Sequence, residues 1–272
     1  MNKQAGSASG LASVERPVAT LEQAVSHMVA LDAQFSPGDG VRYFNALYLE
    51  VTREVVRRLS AGELEDPVFL EQLAVLFSNA YFRAVDDFAQ APASGASRAW
   101  APLFAARFDR RVAPIQFALA GMNAHINYDL PIGVRDTCLA LGITPEDGSR
   151  QHRDYVRLNA ILEDVQERVK PWLAPRLLGV IDRAFGRLDD VVAGFSVARA
   201  RDAAWIHAKT LWLVREERQL SASYLLALDR MVGFAGRGLV APTLLGLARW
   251  SSAQEWLPGG ARRLLGAPRG GR

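Results

Sequence analysis

His125 and Asp129 stand four residues apart in Val112–Leu130 (VAPIQFALAGMNAHINYDL), a segment with no other charged side chain. On an α-helix, residues at this spacing project from neighbouring points of one face. An imidazole and a carboxylate therefore converge in apolar surroundings, where a buried charge is costly unless it is paired or bound to a metal. Two chemistries use such a pair. Imidazole nitrogen and carboxylate oxygen are ordinary ligands of a divalent ion, and zinc, iron, manganese and magnesium are not distinguished at this level. Alternatively, Asp129 holds His125 in one tautomer as a general base, which makes both residues catalytic. A structural hydrogen bond that fixes helix register is the competing reading.

Projected at about 100° per residue, the same helix carries a second polar stripe of Gln116, Asn123 and Asn127. His125 and Asp129 lie roughly opposite, with Ala118 and Gly121 along their strip leaving room for something to approach. Ile115, Phe117, Leu119, Met122, Ile126 and Leu130 fill the surface between the stripes. A helix this apolar on most sides belongs at the centre of a bundle, where its amides must find partners. Gln116, Asn123 and Asn127 are expected to orient a substrate or the catalytic pair. Phe117, Met122, Tyr128 and the seam of a helix over 150–169 are expected as pocket walls, with Asn159 as a further substrate contact. Glu163 on that helix is the best third metal ligand. Asp86 and Asp87 end another helix, as a solvated terminus or as acids turned inward. Arg201 and Asp202 read as a local ion pair and packing anchor, with Arg201 alternatively clamping an anionic substrate. His207 reads as a packing or interface residue, and His27 and His152 as surface residues.

The elements that must hold these residues are helical. Phe44, Leu47, Tyr48, Val51 and Val55 follow the 3–4 spacing of an amphipathic helix after the breaker Ser36–Gly40. Further helices are expected over 67–89, 100–108, 150–169, 175–192, 197–215 and 221–250. The His125 helix should kink or stop at Pro131, its apolar run resuming to Leu141 before the turn at 142–148. No alternating run is long enough for a strand. The expectation is an all-α single bundle domain of eight to nine helices over 18–257, between disordered tails at 1–17 and 258–272, the second of them basic.

Half of the 272 residues are hydrophobic and 22% are charged, with a net charge of only +3, which suits a globular protein with a sizeable core. Basic residues alternate with acids, as in Arg53-Glu54, so no nucleic-acid-binding stripe is expected. Cys138 is the only cysteine, which excludes an intrachain disulfide and a cysteine zinc cluster. No signal-peptide core and no membrane span is seen, and a cytoplasmic location is expected. The oligomeric state is not readable. Phosphate loops, the Gly-x-Ser-x-Gly elbow, His-Glu-x-x-His and paired Glu-x-x-His motifs are all missing.

Four segments together carry a resemblance: 40–52 (GVRYFNALYLEVT), 116–130 (QFALAGMNAHINYDL), 200–212 (ARDAAWIHAKTLW) and 228–238 (LDRMVGFAGRG). In this order the chain resembles the bacterial helical family known as domain of unknown function 5995, over about Leu21 to Pro242. The resemblance implies an all-helical single domain and no particular activity, and His207 is outside the family's pattern. Asp86-Asp87 with Asn159-x-x-x-Glu163 resembles the metal motifs of helical terpene cyclases, lacking the third acid and the middle hydroxyl. The His-x-x-x-Asp-then-proline run resembles a zinc-ligand motif of helical phospholipases C and nucleases, without the second histidine motif.

The leading expectation is an enzyme acting on a largely apolar small molecule at His125 and Asp129. It would be metal-dependent or acid–base, with hydrolysis the most concrete reaction and cyclisation or isomerisation also open. The alternatives are a non-catalytic bundle binding a small molecule or partner, and a terpene-type cyclase.

Overall fold

Thr20, Asp66 and Ser196 each accept a backbone N–H from the first turn that follows them, satisfying a donor the helix itself leaves open. These caps open three of the helices in the computed structural model, which describes residues 17–92, 95–173 and 196–242. The order is α1 (Leu21–Gln34), α2 (Val41–Ser60), α3 (Pro67–Gln90), the short α4 (Ala101–Ala106), α5 (Pro114–Ala124), a π-helical turn (His125–Asp129), α6 (Leu130–Leu141), α7 (Arg150–Leu173), α8 (Val197–Leu213) and α9 (Arg218–Leu239). With α5, the π turn and α6 counted as one rod, the described residues form an all-α bundle of eight helices without a strand. Most expected boundaries fall within a few residues of those observed. The expected helix over 175–192 and the tail over 258–272 lie outside the described residues, as does all but Pro17 of the expected N-terminal tail.

Pro131 does not stop the central helix. A proline lacks the N–H that would bond four residues back, and its ring crowds that carbonyl, here of Asn127. The turn ahead of it is widened instead, and Leu130 N–H reaches back to the His125 carbonyl, the i→i+5 pattern of a π bulge. The rod then continues to Leu141 and closes on Gly142 at φ 64°. The expected break is thus absorbed by the very turn that carries His125 and Asp129.

Two main apolar clusters share this rod. One joins α1–α5 and α9 through Met28, Phe44, Tyr81, Trp100, Phe117 and Leu228. The other joins α3, the π turn and α6–α8 through Phe69, Leu73, Ile126, Leu130, Tyr155 and Trp205. The room left by Gly121 is taken by Phe44: a Cβ there would stand 2.3 Å from the Phe44 ring, far inside contact distance. Gly121→Ala is therefore expected to destabilise the fold by about 1–3 kcal/mol through overpacking, measurable as a lower urea midpoint at unchanged slope. A midpoint equal to wild type would show that Phe44 repacks without cost.

Candidate functional site

His125 is 2% exposed and Asp129 6%, and the π turn brings His125 Nδ1 to 2.9 Å from Asp129 Oδ2. Trp100 Nε1 donates to the same oxygen at 3.0 Å. With the Nδ1 proton committed to Asp129, Nε2 carries the lone pair of a neutral imidazole. That nitrogen is buried and has no hydrogen-bond partner among the described residues. Phe77 stacks on the imidazole at 3.4 Å between centroids, and Tyr48 meets it edge-on at 4.6 Å. Phe44, Trp100 and Tyr81 complete an aromatic cage at 5.7, 5.8 and 6.2 Å. Tyr48 hydroxyl pairs with Ser78 Oγ at 3.0 Å, and burial pushes its pKa well above the ordinary phenol range.

His125 lines a cavity of about 90 Å³ at the junction of the apolar clusters. Its wall is almost wholly apolar, from α2 (Leu47, Val51, Val55), α3 (Leu73, Phe77) and α7 (Leu158, Leu162), among others. Polar groups in the wall are few: His125, Tyr48, Ser78, Thr52 and Arg201. An apolar cavity with a small number of convergent polar groups is the usual form of a small-molecule site.

Burial is the main cause that lowers the His125 pKa from its ordinary value, opposed by the hydrogen bond and charge of Asp129. The ring is thus neutral at neutral pH. Between the ordinary histidine value of about 6.5 and the lower folded value, the unfolded chain binds a proton that the folded chain does not. The His125 contribution to stability is therefore complete above that window and is lost as pH falls through it. Burial lowers His27 and His207 in the same direction, so the loss belongs to His125 only as the difference between wild type and His125→Gln. Urea titrations of both proteins across about pH 5–7 are expected to show a shallower decline in the variant. Parallel declines would refute the assignment.

The amide stripe does not reach this cavity. Gln116 Nε2 donates to the carbonyls of Leu239 and Ala241, both at 2.8 Å, and its Oε1 accepts Ala113 N–H. Asn123 Nδ2 donates to Val232 O at 3.0 Å and its Oδ1 accepts from Asn127. The expectation that these amides orient a substrate is thus corrected: carbonyls at and near α9 take up Gln116 and Asn123 and fasten that helix to α5. Gly233 permits the close approach of α9, since a Cβ there would meet the Arg98 carbonyl oxygen at 2.3 Å. Met122, Leu158 and Leu162 do line the cavity, while Phe117 and Tyr128 do not. Asn159 is absent from the wall and instead accepts Arg201 Nε at 2.6 Å. The expected Arg201–Asp202 ion pair is also corrected: Arg201 is buried against Tyr155, and Asp202 is exposed. His207 meets Tyr224 hydroxyl at 2.6 Å. His27 and His152 are half-buried, packed on Phe82 and Trp205 rather than free on the surface.

The Glu163 side chain lies outside the described residues. Among the described residues, no group of three His, Cys, Asp or Glu side chains is placed to hold a metal ion. Asp86 and Asp87 do not line the cavity, and Asp87 is exposed. No helix among the described residues is long and apolar enough to cross a membrane.

The profile of a family described as "Family of unknown function (DUF5995)" matches residues 21–242. The chain belongs to that family. Comparison with curated proteins and with solved structures returns no match. The match to DUF5995 covers every helix described above, from the first residue of α1 to beyond the end of α9.

Proposed function

We propose that the protein is an acid–base enzyme acting on a largely apolar small molecule, with His125 as the proton-transferring group. The observation that carries this reading is a buried Nε2 without a hydrogen-bond partner, on a histidine that lines an apolar cavity and whose Nδ1 is tied to Asp129. An unpaired buried acceptor costs free energy, and a hydroxyl or water brought by a ligand would satisfy it. For hydrolysis, Nε2 takes a proton from the attacking water as its oxygen bonds to the acyl carbon. The imidazolium is stabilised by the Asp129 carboxylate and by the faces of the surrounding rings. The same proton then passes to the leaving oxygen as its bond to the acyl carbon breaks, returning His125 to its neutral form.

The donor set explains the preference over a metal centre. Asp129 Oδ2 already accepts from His125 and Trp100, so a cation on Nε2 would find Asp129 behind the ring rather than beside it. Asp129 would then orient the ligand histidine without touching the ion. Hydrolysis of p-nitrophenyl esters, acetate to decanoate, with metal content measured on the same preparation, separates the readings. Turnover that rises with chain length and collapses in His125→Ala supports the proposal. Turnover indifferent to that substitution overturns it. Stoichiometric metal that disappears with His125 makes the residue a ligand instead. A protein that binds decanol in the cavity yet turns over no ester is the non-catalytic binding bundle.

A further inference from the structure

Arg201 is the one side chain with a full charge in the described cavity wall. It is 4% exposed, and its position is fixed on three sides. Nε donates to Asn159 Oδ1 at 2.6 Å, one terminal nitrogen donates to the Tyr155 carbonyl at 2.7 Å, and the guanidinium lies 4.1 Å from the Tyr155 ring centroid. These partners are neutral. Among the described residues no acidic side chain forms an ion pair with it, and the exposed Asp202 acts on it only at longer range. A buried cation held by neutral dipoles alone is costly. An arriving anion would offset that cost, and a guanidinium clamped in one plane is preorganised for a planar carboxylate.

We propose that the cavity binds an amphipathic monocarboxylate, its carboxylate on Arg201 and its hydrocarbon portion along the apolar wall that also holds His125. A single cation matches a single negative charge, and among the described residues the wall has no second cation for a phosphate dianion. The walls of Leu47, Val51, Val55, Leu158 and Leu162 suit an alkyl or aromatic body. This deepens the reading of the cavity as a small-molecule site and does not depend on turnover by His125.

The test is calorimetric titration of the full chain with decanoate, decanol and decyl phosphate. Decanoate is expected to bind about tenfold or more tighter than decanol, the difference made by one charge-assisted contact. Arg201→Gln is expected to bring the two to parity while leaving decanol binding in place. Ala74→Phe, which fills the cavity from α3, is expected to abolish binding of both. Equal affinity for decanoate and decanol in wild type overturns the proposal, as does decanoate binding unchanged in Ala74→Phe. Tighter binding of decyl phosphate overturns the choice of carboxylate. If Arg201→Gln fails to fold, the wild-type comparison and Ala74→Phe still decide. Because binding is read without turnover, ester hydrolysis lost with His125 alongside equal affinities sinks this inference alone. Absence of binding by any of the three ligands sinks both.

Discussion

His125→Ala is expected to lower ester turnover by about 10²–10⁴-fold, the range supplied by a positioned general base, while decanol still binds. Among the described lining residues, the substitution removes the only side-chain nitrogen able to accept a proton from a bound hydroxyl or water. It also leaves a ring-sized void bounded by Phe77, Tyr48 and Trp100. Free imidazole fits that void and meets the same Asp129 carboxylate, so adding it is expected to restore part of the lost rate in His125→Ala and none in wild type. A purely structural role for His125 predicts a different pattern, in which unfolding shifts but imidazole restores no chemistry. In the wild-type protein the rate should fall on the acid side with an apparent pKa below the ordinary histidine value of about 6.5, because burial disfavours the imidazolium. An acid limb at or above that value would show that Asp129 outweighs burial.

The fold was readable because it rests on local periodicity. The 3–4 spacing in α2 and the seam of α7 each report a buried face without naming the partner, and an all-α bundle needs little more. The His125–Asp129 contact was readable for the same reason, since both residues lie on one short stretch of chain and their distance is set by helix geometry. Groups arriving from far along the chain were not readable. Trp100 reads as the start of a short helix, and nothing in its neighbours announces that its indole N–H will cap Asp129 from 29 residues away. In the sequence, Gln116 and Asn123 are amides on a buried helix that need partners. An amide satisfied by a ligand and one satisfied by a carbonyl look alike in sequence, and the carbonyls came from more than 100 residues further on.

Pro131 teaches a related point. Its steric demand was visible, but a break, a kink and a π bulge all meet that demand. Packing of the flanking turns against α3 and α8 selects the bulge, because a break would expose Ile126, Leu130 and Val134, all buried in one cluster. Arg201 shows the reverse case. Its neighbour Asp202 suggested a local ion pair, yet adjacent residues on a helix face different directions. The longer reach to Asn159 and Tyr155 on α7 prevails, and Arg201 lines the cavity.

Asp129→Ala is expected to cost about 2–6 kcal/mol of stability, the range for orphaning two buried donors, and to remove turnover as well. Two buried donors, His125 Nδ1 and Trp100 Nε1, lose their shared acceptor at once, and each orphaned donor costs about 1–3 kcal/mol. The loss of the carboxylate's own desolvation penalty offsets only part of this. Asp129→Asn separates the two consequences. Its amide oxygen can still accept from one or both donors, so stability should recover most of the deficit. Turnover should not recover, because a neutral amide stabilises the imidazolium far less than a carboxylate, and its N–H₂ can instead donate to Nδ1 and turn the lone pair away from the cavity. Chemical denaturation of the two variants beside wild type, with ester turnover on the same samples, reads both quantities. If Asp129→Asn turns over esters at the wild-type rate, the carboxylate only packs the π turn, and the general-base assignment of His125 loses its partner.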